Sequence, residues 1–187
     1  MRISGGEARG IPLIVPKGDA VRPATDGMRQ AVFSSLGAQV GGARFLDLFA
    51  GSGAYGLEAL SRGAAGGTFV ERSPNALGCL RKNITSVCKS LGRKESDVAV
   101  APIDVLRFEP TADLSVDLVF IDPPYEMIGD VAERLFEKFS RFFPGDRSPL
   151  VVFEMPGEVE LKPIAWECVK RLGKGARQPT VAFFRRT

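Results

Sequence analysis

The sequence predicts an α/β domain built on a doubly wound, mainly parallel seven-stranded sheet, with a small β-hairpin extension at its N-terminus. Three observations predict it. From residue 43 onward short apolar runs alternate with longer amphipathic stretches, the rhythm of a parallel sheet covered by helices on both faces. Gly51, Gly53 and Gly56 stand in G-x-G-x-x-G spacing after the first of these runs, where glycine lets the chain turn sharply and leaves bare main chain beside a helix N-terminus. The stretch "LVFIDPPYEM", Leu118 to Met127, stops an apolar strand at Asp122, because prolines cannot donate to a strand ladder.

The elements follow in order. "MRISGGEARGIPLIVPKGDAVRP" has apolar stretches around Ile3 and Ile11–Val15, separated by glycines and closed by prolines, which suits a hairpin and a loop over residues 1–24. Thr25 reads as a helix cap, with Asp26 in the first turn and Met28, Ala31, Val32, Ser35 and Leu36 at helical spacing. The main domain, 25–187, then alternates. Ala43–Leu48 is a strand, Gly53–Arg62 a helix, Gly67–Glu71 a strand, and Pro74–Leu91 a long helix entered from Ser73. Val98–Pro102 and Val116–Ile121 are the third and fourth strands. Gly129–Phe142 is a helix with Val131, Leu135, Phe136 and Phe139 on one face, and Leu150–Glu154 is the fifth strand. Ala165–Arg171 and Thr180–Arg185 form a closing antiparallel hairpin.

At 187 residues and 44% hydrophobic content the chain has material for one proper core. No stretch approaches the roughly 20 apolar residues that cross a bilayer, and "MRISGGEARG" lacks the apolar core of a secretion signal. The expectation is a cytoplasmic monomer without a membrane partner. Cys79, Cys88 and Cys168 are odd in number and make no C-x-x-C pair, so neither a disulfide framework nor a zinc site is expected. The chain has no histidine, which removes the commonest general base and the commonest metal ligand together. Net charge is only +3, yet after Glu167 the tail carries Lys170, Arg171, Lys174, Arg177, Arg185 and Arg186 with no acid. That tail suits an anionic partner, or equally a solvated basic strand face.

A glycine loop of this kind takes a nucleotide-like ligand. Glu71 ends the second strand, where a carboxylate accepts the hydroxyls of an adenosine ribose. Two cofactors compete. A dinucleotide brings a pyrophosphate to the helix N-terminus, whereas S-adenosylmethionine brings an ammonium and a carboxylate. Asp47 offers its carboxylate to that ammonium, and Asp104 is placed to receive an adenine amine. The plainer roles are that Asp47 braces the loop and Asp104 caps the following turn.

Asp122 falls at the carboxyl end of the fourth strand, beside the crevice where open α/β sheets bind ligands. The exocyclic amine of a nucleobase is a poor nucleophile because its lone pair is delocalised into the ring. Acceptors on its hydrogens, the Asp122 carboxylate and the Pro123 carbonyl, draw it toward tetrahedral geometry. Pro123 and Pro124 stiffen the backbone, and Tyr125 can stack on an extruded base. Such chemistry is positioning for in-line transfer and needs neither histidine nor metal. The plainer role for this stretch is a strand-ending turn.

"DLFAGSGAYGLEALSRGA" and "FIDPPY" resemble the class I S-adenosylmethionine-dependent methyltransferases that modify amino nitrogens, and "MRISGGEARGIPLIVP" with "RPATDGMRQAVFSSL" resembles the N-terminal signature of the RsmD-like 16S rRNA guanine-N2 methyltransferases. The resemblance implies a Rossmann-like fold, S-adenosyl-L-methionine as cofactor, and methylation of one guanine N2 in 16S rRNA of the assembling small ribosomal subunit. It implies an amine-gripping loop of Asp122, Pro123, Pro124 and Tyr125. The cofactor pocket would comprise Asp47, Phe49, Ala50, Gly51, Ser52, Gly53 and Gly56, with Glu71 and Arg72 from the second strand end and Asp104 and Val105 from the third. Arg22, Pro23, Thr25, Asp26 and Arg29 fall on a family segment that lies over the pocket, although Gly27 and Gln30 stand where the family pattern has Arg and Glu. Arg2, Arg9, Arg22, Thr25 and Arg29 at one end, and Lys174 and Arg177 at the other, are the expected RNA contacts, giving affinity through phosphates.

Three rival readings remain at this point. A DNA adenine-N6 methyltransferase would use DPPY equally well, but no insert is evident to serve as a DNA recognition region. A non-catalytic RNA-binding assembly factor would keep the fold without turnover. An NAD oxidoreductase would leave DPPY unexplained.

Overall fold

The computed structural model describes residues 1–16, 26–111, 114–143, 148–173, 175 and 178–187. Its centre is a seven-stranded sheet of β1 (Arg44–Leu48), β2 (Gly66–Val70), β3 (Val98–Ala101), β4 (Leu118–Ile121), β5 (Leu150–Pro156), β6 (Trp166–Leu172) and β7 (Pro179–Arg186), in the order β3-β2-β1-β4-β5-β7-β6. The first five in that order are parallel, while β7 runs antiparallel to both β5 and β6. The predicted doubly wound sheet is thus observed. The order reverses between β1 and β4, which opens a crevice at the strands' carboxyl ends.

The helices are α1 (Asp26–Leu36), α2 (Ala54–Ser61), α3 (Pro74–Leu91) and α4 (Ile128–Phe142). α3 has the predicted ends for local reasons: Ser73 accepts from the Ala76 N–H, Pro74 opens the first turn, and Gly92 closes it with φ of 63°. α4 buries Ile128, Val131, Leu135, Phe136 and Phe139. It covers one sheet face with Leu46, Val119, Ile121, Phe153 and Phe184. The other face joins Phe45, Phe69, Phe120 and Val152 to residues of α1, α2 and α3. No described helix is long and apolar enough to cross a membrane.

Several details differ from the sequence expectation. α1 turns inward on Arg29, Val32, Phe33 and Leu36, while Ala31 is exposed; the reason is an ion pair that the apolar pattern does not encode. β5 runs two residues beyond Glu154 because β7 pairs with it as far as Pro156. Val116 precedes β4 rather than opening it, and the Asp117 carboxylate there accepts the Arg44 N–H at 2.7 Å.

The N-terminal hairpin is reduced to one antiparallel bridge, Arg2 to Pro12, with flanking bonds such as Ile3 N–H to Ile11 O at 2.9 Å. Its glycines leave little ladder, and side-chain burial holds it instead: Ile3, Ala8 and Leu13 join the core on the α1 and α2 side. Ser4 gives both its N–H and its hydroxyl to Glu58, at 2.8 and 2.7 Å, and the Ala8 N–H reaches Ser61 Oγ at 2.9 Å. The expected boundary between residues 24 and 25 lies outside the described residues.

Beneath this segment lies a buried ion cluster. Arg29 Nε donates to Glu58 Oε2 at 3.2 Å with both side chains fully buried, and Arg29 Nη2 donates to Asp26 Oδ1 at 2.8 Å and to the Arg2 carbonyl. Arg62 Nε reaches the other Glu58 oxygen at 2.9 Å. Removing one partner of such a pair leaves a buried charge uncompensated, a loss of about 3 kcal/mol or more. Glu58→Ala is therefore expected to lower the unfolding free energy by about that amount. Urea denaturation at neutral pH checks it, against Asp26→Ala, whose half-exposed carboxylate should cost about 1 kcal/mol or less.

Candidate active site

The loop after β1 is shaped by backbone rather than by side chains. Phe49, Gly51 and Gly53 all have positive φ, of 59°, 54° and 80°, and the left-handed conformation at a residue as large as Phe49 is strained. A side chain at Gly53 would come within 2.5 Å of Leu80 Cδ1, and one at Gly56 within 2.4 Å of Phe69 Cε1. The second and third glycines thus let α2 sit tightly on the sheet, with its N-terminus facing the crevice. Two carboxylates hold the loop from below and from the side. Asp47 Oδ2 accepts the Gly56 N–H at 2.9 Å, and the oxygens of Glu71 accept the Gly51 and Ser73 N–H groups at 2.9 and 2.7 Å. Asn83 of α3 adds a third brace: its amide donates to the Ser52 carbonyl at 2.9 Å and to the Ile14 carbonyl at 2.8 Å, and accepts from the Ile14 N–H.

Asp122 stands one residue past the β4 ladder. Leu48 pairs with Ile121 and Ile121 with Phe153, so Asp122, half-buried just past β4, lies level with Glu154, two residues before the end of β5. Glu154 is buried and accepts the Tyr55 hydroxyl at 2.8 Å, while the Tyr55 ring stacks on Phe120 with centroids 5.3 Å apart. Pro123 is buried, Pro124 is half-buried, and Tyr125 is 41% exposed at the rim. The Met127 N–H closes the turn onto the Pro124 carbonyl at 2.9 Å.

These acids make the crevice strongly receptive to positive charge. Burial, then the neighbouring charges of Glu154 and Asp47, push Asp122 well above the ordinary carboxylate range. Burial raises Asp47 to about 8, opposed by the Gly56 N–H and reinforced by Glu71. Burial raises Glu154 to about 6, held back by the Tyr55 hydroxyl and the Arg29 charge. Neither Asp47 nor Asp122 meets a counter-charge that restores its ordinary value, so a cationic ligand would find acceptors ready to ionise.

The other expected residues fall as follows. Ala50 and Ser52 are buried in the loop. Arg72 Nη1 donates to Asp104 Oδ2 at 2.7 Å, and Asp104 also accepts the Leu106 N–H at 2.9 Å. Burial would raise Asp104, but that N–H and Arg72 hold it below the ordinary value. Val105 is buried in the core layer of α4. Arg2 and Arg9 are exposed and line a cavity of about 250 Å³ with Ser4, Asp26 and Gln30. Arg29 is a correction: fully buried in its ion cluster, it presents nothing to an RNA surface. Arg22, Pro23, Thr25, Lys174 and Arg177 lie outside the described residues.

Tyr55, Asn83 and Glu154 were absent from the sequence expectation. Glu154 had a readable signal, since "LVVFEMP" repeats the pattern of "LVFIDPP": an apolar strand, one acid, then proline within two residues. Tyr55 and Asn83 sit on helices whose apolar spacing hides them.

Residues 1–182 match the protein family described as Conserved hypothetical protein 95. The chain belongs to that family. Ribosomal RNA small subunit methyltransferase D of Escherichia coli K12 is 38% identical over 125 residues, which is 67% of this chain and 60% of that relative's length. The expected RsmD-like membership is thereby borne out. Among solved structures, a putative methyltransferase of Escherichia coli, yhhF, superposes with a TM-score of 0.78 at 29% identity, covering 100% of this chain and 97% of the other. A putative methyltransferase complexed with SAH superposes at 0.65 with 13% identity over 88% of this chain and 50% of that one, a likeness of fold alone. The family member described here therefore has the class I methyltransferase fold.

The raised acids fix a pH dependence. A carboxylate whose folded pKa exceeds its unfolded value binds more protons in the native state, so stability falls as pH rises between the two values. For Asp47 that window runs from the ordinary value of 3.8 up to about 8, and for Glu154 from 4.5 up to about 6. Stability without ligand is expected to fall between pH 5 and 7, by on the order of 1 kcal/mol per pH unit for a fully shifted group. Asp47→Asn should flatten this slope, as urea denaturation at pH 5, 6 and 7 will show.

Proposed function

We propose that the protein is a cytoplasmic, S-adenosylmethionine-dependent methyltransferase that modifies the exocyclic N2 amine of a guanine in 16S rRNA, acting as a monomer on the assembling small ribosomal subunit. The observation that carries this reading is the row of acids near the carboxyl ends of β1, β4 and β5, buried Asp47 and Glu154 with half-buried Asp122 between them, beside a glycine loop and an exposed Tyr125. Acids raised by burial and by one another favour a cation over a pyrophosphate, which supports S-adenosylmethionine against a dinucleotide. Relatives with rRNA methyltransferase in their names support the substrate class.

The residues suit the cofactor in a definite way. Glu71 takes the ribose hydroxyls, Asp47 lies where an ammonium would enter, and the Gly51–Gly53 backbone admits close approach. When bound, S-adenosylmethionine would supply an electrophilic methyl group. Tyr125 stacks on the extruded base, and Asp122 with the Pro123 carbonyl grips the amine hydrogens, so that the N2 lone pair is free to form the new N–C bond. Positive charge entering the pocket favours loss of the Asp122 proton to water, which leaves its carboxylate as the acceptor. The proton displaced from N2 then passes to Asp122. Exposed Arg2 and Arg9 suit RNA phosphates.

The test is methyl transfer from labelled S-adenosylmethionine to small subunits lacking native methylation, beside free 16S rRNA and duplex DNA. Label is expected as N2-methylguanine in subunits. Asp122→Asn should lower kcat by on the order of 100-fold or more while cofactor affinity by calorimetry stays within about threefold. Label in adenine, or only in DNA, would overturn the reading. Arg2→Glu with Arg9→Glu should weaken subunit binding about tenfold and reduce its salt dependence without changing cofactor affinity; filter binding across a salt series checks this.

A further inference from the structure

The transfer step leaves one buried acid of the crevice without a task. Glu154 follows Phe153 as Asp122 follows Ile121, and Ile121 and Phe153 are in register. Two residues earlier, Phe120 and Val152 both belong to the core layer beneath α1 and α2. Side chains alternate along a strand, so Asp122 and Glu154 project from that same face. Neighbouring strands lie about 4.8 Å apart, and the charge of Glu154 is felt at Asp122. The two acids thus stand side by side on one face of the sheet, Asp122 half-buried and Glu154 buried.

Glu154 is also aimed. The Tyr55 hydroxyl holds its Oε2 at 2.8 Å, and Tyr55 is itself fixed by stacking on Phe120, with ring planes 17° apart. The Tyr55 hydroxyl and the Arg29 charge both favour the ionised form of Glu154, which accepts hydrogen bonds without donating any.

A nucleobase shows its identity on the Watson–Crick edge. Guanine places two donors there side by side, N1–H and N2–H, whereas adenine places its amine beside a bare N1 acceptor. A flipped base is read along this edge. Asp122 and the Pro123 carbonyl grip any exocyclic amine and cannot distinguish the two. We infer that Glu154 accepts the N1–H of the target guanine while Asp122 accepts its N2–H, so that Glu154 selects guanine against adenine. With adenine the carboxylate would face the N1 lone pair, leaving two buried acceptors opposed and unpaired, the arrangement that polar sites reject most strongly. This inference rests on the guanine-N2 reading above.

The test replaces the guanine that the wild-type protein labels with 2-aminopurine, in 16S rRNA assembled into small subunits. This analogue keeps the N2 amine but has no proton on N1. Wild-type kcat/KM is expected to be on the order of 10- to 100-fold lower on the analogue. Glu154→Gln keeps an oxygen for Tyr55 and presents an N–H to the bare N1. It should bring the two substrates within about threefold of each other, by slowing guanine and helping the analogue. Binding of the analogue, read as the change in 2-aminopurine fluorescence on flipping, should be tighter with Glu154→Gln than with the wild-type protein. A wild-type protein that treats both alike, or a Glu154→Gln protein that keeps the wild-type ratio, overturns the inference and leaves the guanine-N2 reading standing. Wild-type protein that places no label on guanine N2 overturns that reading instead. If Glu154→Gln lacks a cooperative urea transition, the wild-type ratio decides alone, and a value under about threefold overturns the inference.

Discussion

The register of β4 between β1 and β5 is the constraint on which the crevice depends. β4 is four residues long and wholly buried, so its own length gives it little grip. Its amino end is locked from both sides: Asp117 accepts the Arg44 N–H with its carboxylate, donates its own N–H to the Arg44 carbonyl at 2.8 Å, and accepts the Leu150 N–H at 2.9 Å. Its carboxyl end is stopped by two prolines that cannot extend the ladder. A slip of one residue would turn every side chain to the other face. Asp122 would then leave the side of Glu154 and Tyr55 for the apolar layer against α4.

Placing three acids in one crevice, Asp47 and Glu154 buried and Asp122 half-buried, is unfavourable, and the fold contains partial compensation. The Gly56 N–H serves Asp47, the Tyr55 hydroxyl serves Glu154, and the Arg29 charge steadies Glu154 from beneath. Arg29 is held in turn by Glu58, Asp26 and the Arg2 carbonyl. The ion cluster under the N-terminal segment and the acids of the crevice are therefore electrostatically continuous. A pocket left short of positive charge is consistent with a cationic ligand.

What was legible in the sequence was whatever local chemistry enforces. α3 could be read at both ends because Ser73, Pro74 and Gly92 carry their own instructions. The glycine loop could be read from spacing, and DPPY from prolines after an apolar run. The misreadings of Arg29, β5 and Tyr55 involve partners distant in sequence. Arg29 looks like a surface cation until Glu58, itself an acid inside the apolar helix "AYGLEALS", is placed against it. β5 appears to end at Glu154 until β7 is laid beside it. Tyr55 fits helical core spacing, and only the 99-residue separation closed by its bond to Glu154 gives its hydroxyl a role.

The same long-range ties relate the N-terminal segment to the chemistry. Asn83 holds the backbone of Ile14 and the carbonyl of Ser52 with one side chain, and Ser52 Oγ lies 3.7 Å from the Met1 sulfur. Ser4 and Ala8 are fastened to α2, the helix that the glycine loop opens. Arg2 and Arg9 thus project from a piece of chain whose anchors are also anchors of the loop. A ligand caught there would be tied to the glycine loop through these hydrogen bonds. Stiff coupling of this kind suits any chemistry whose rate depends chiefly on positioning.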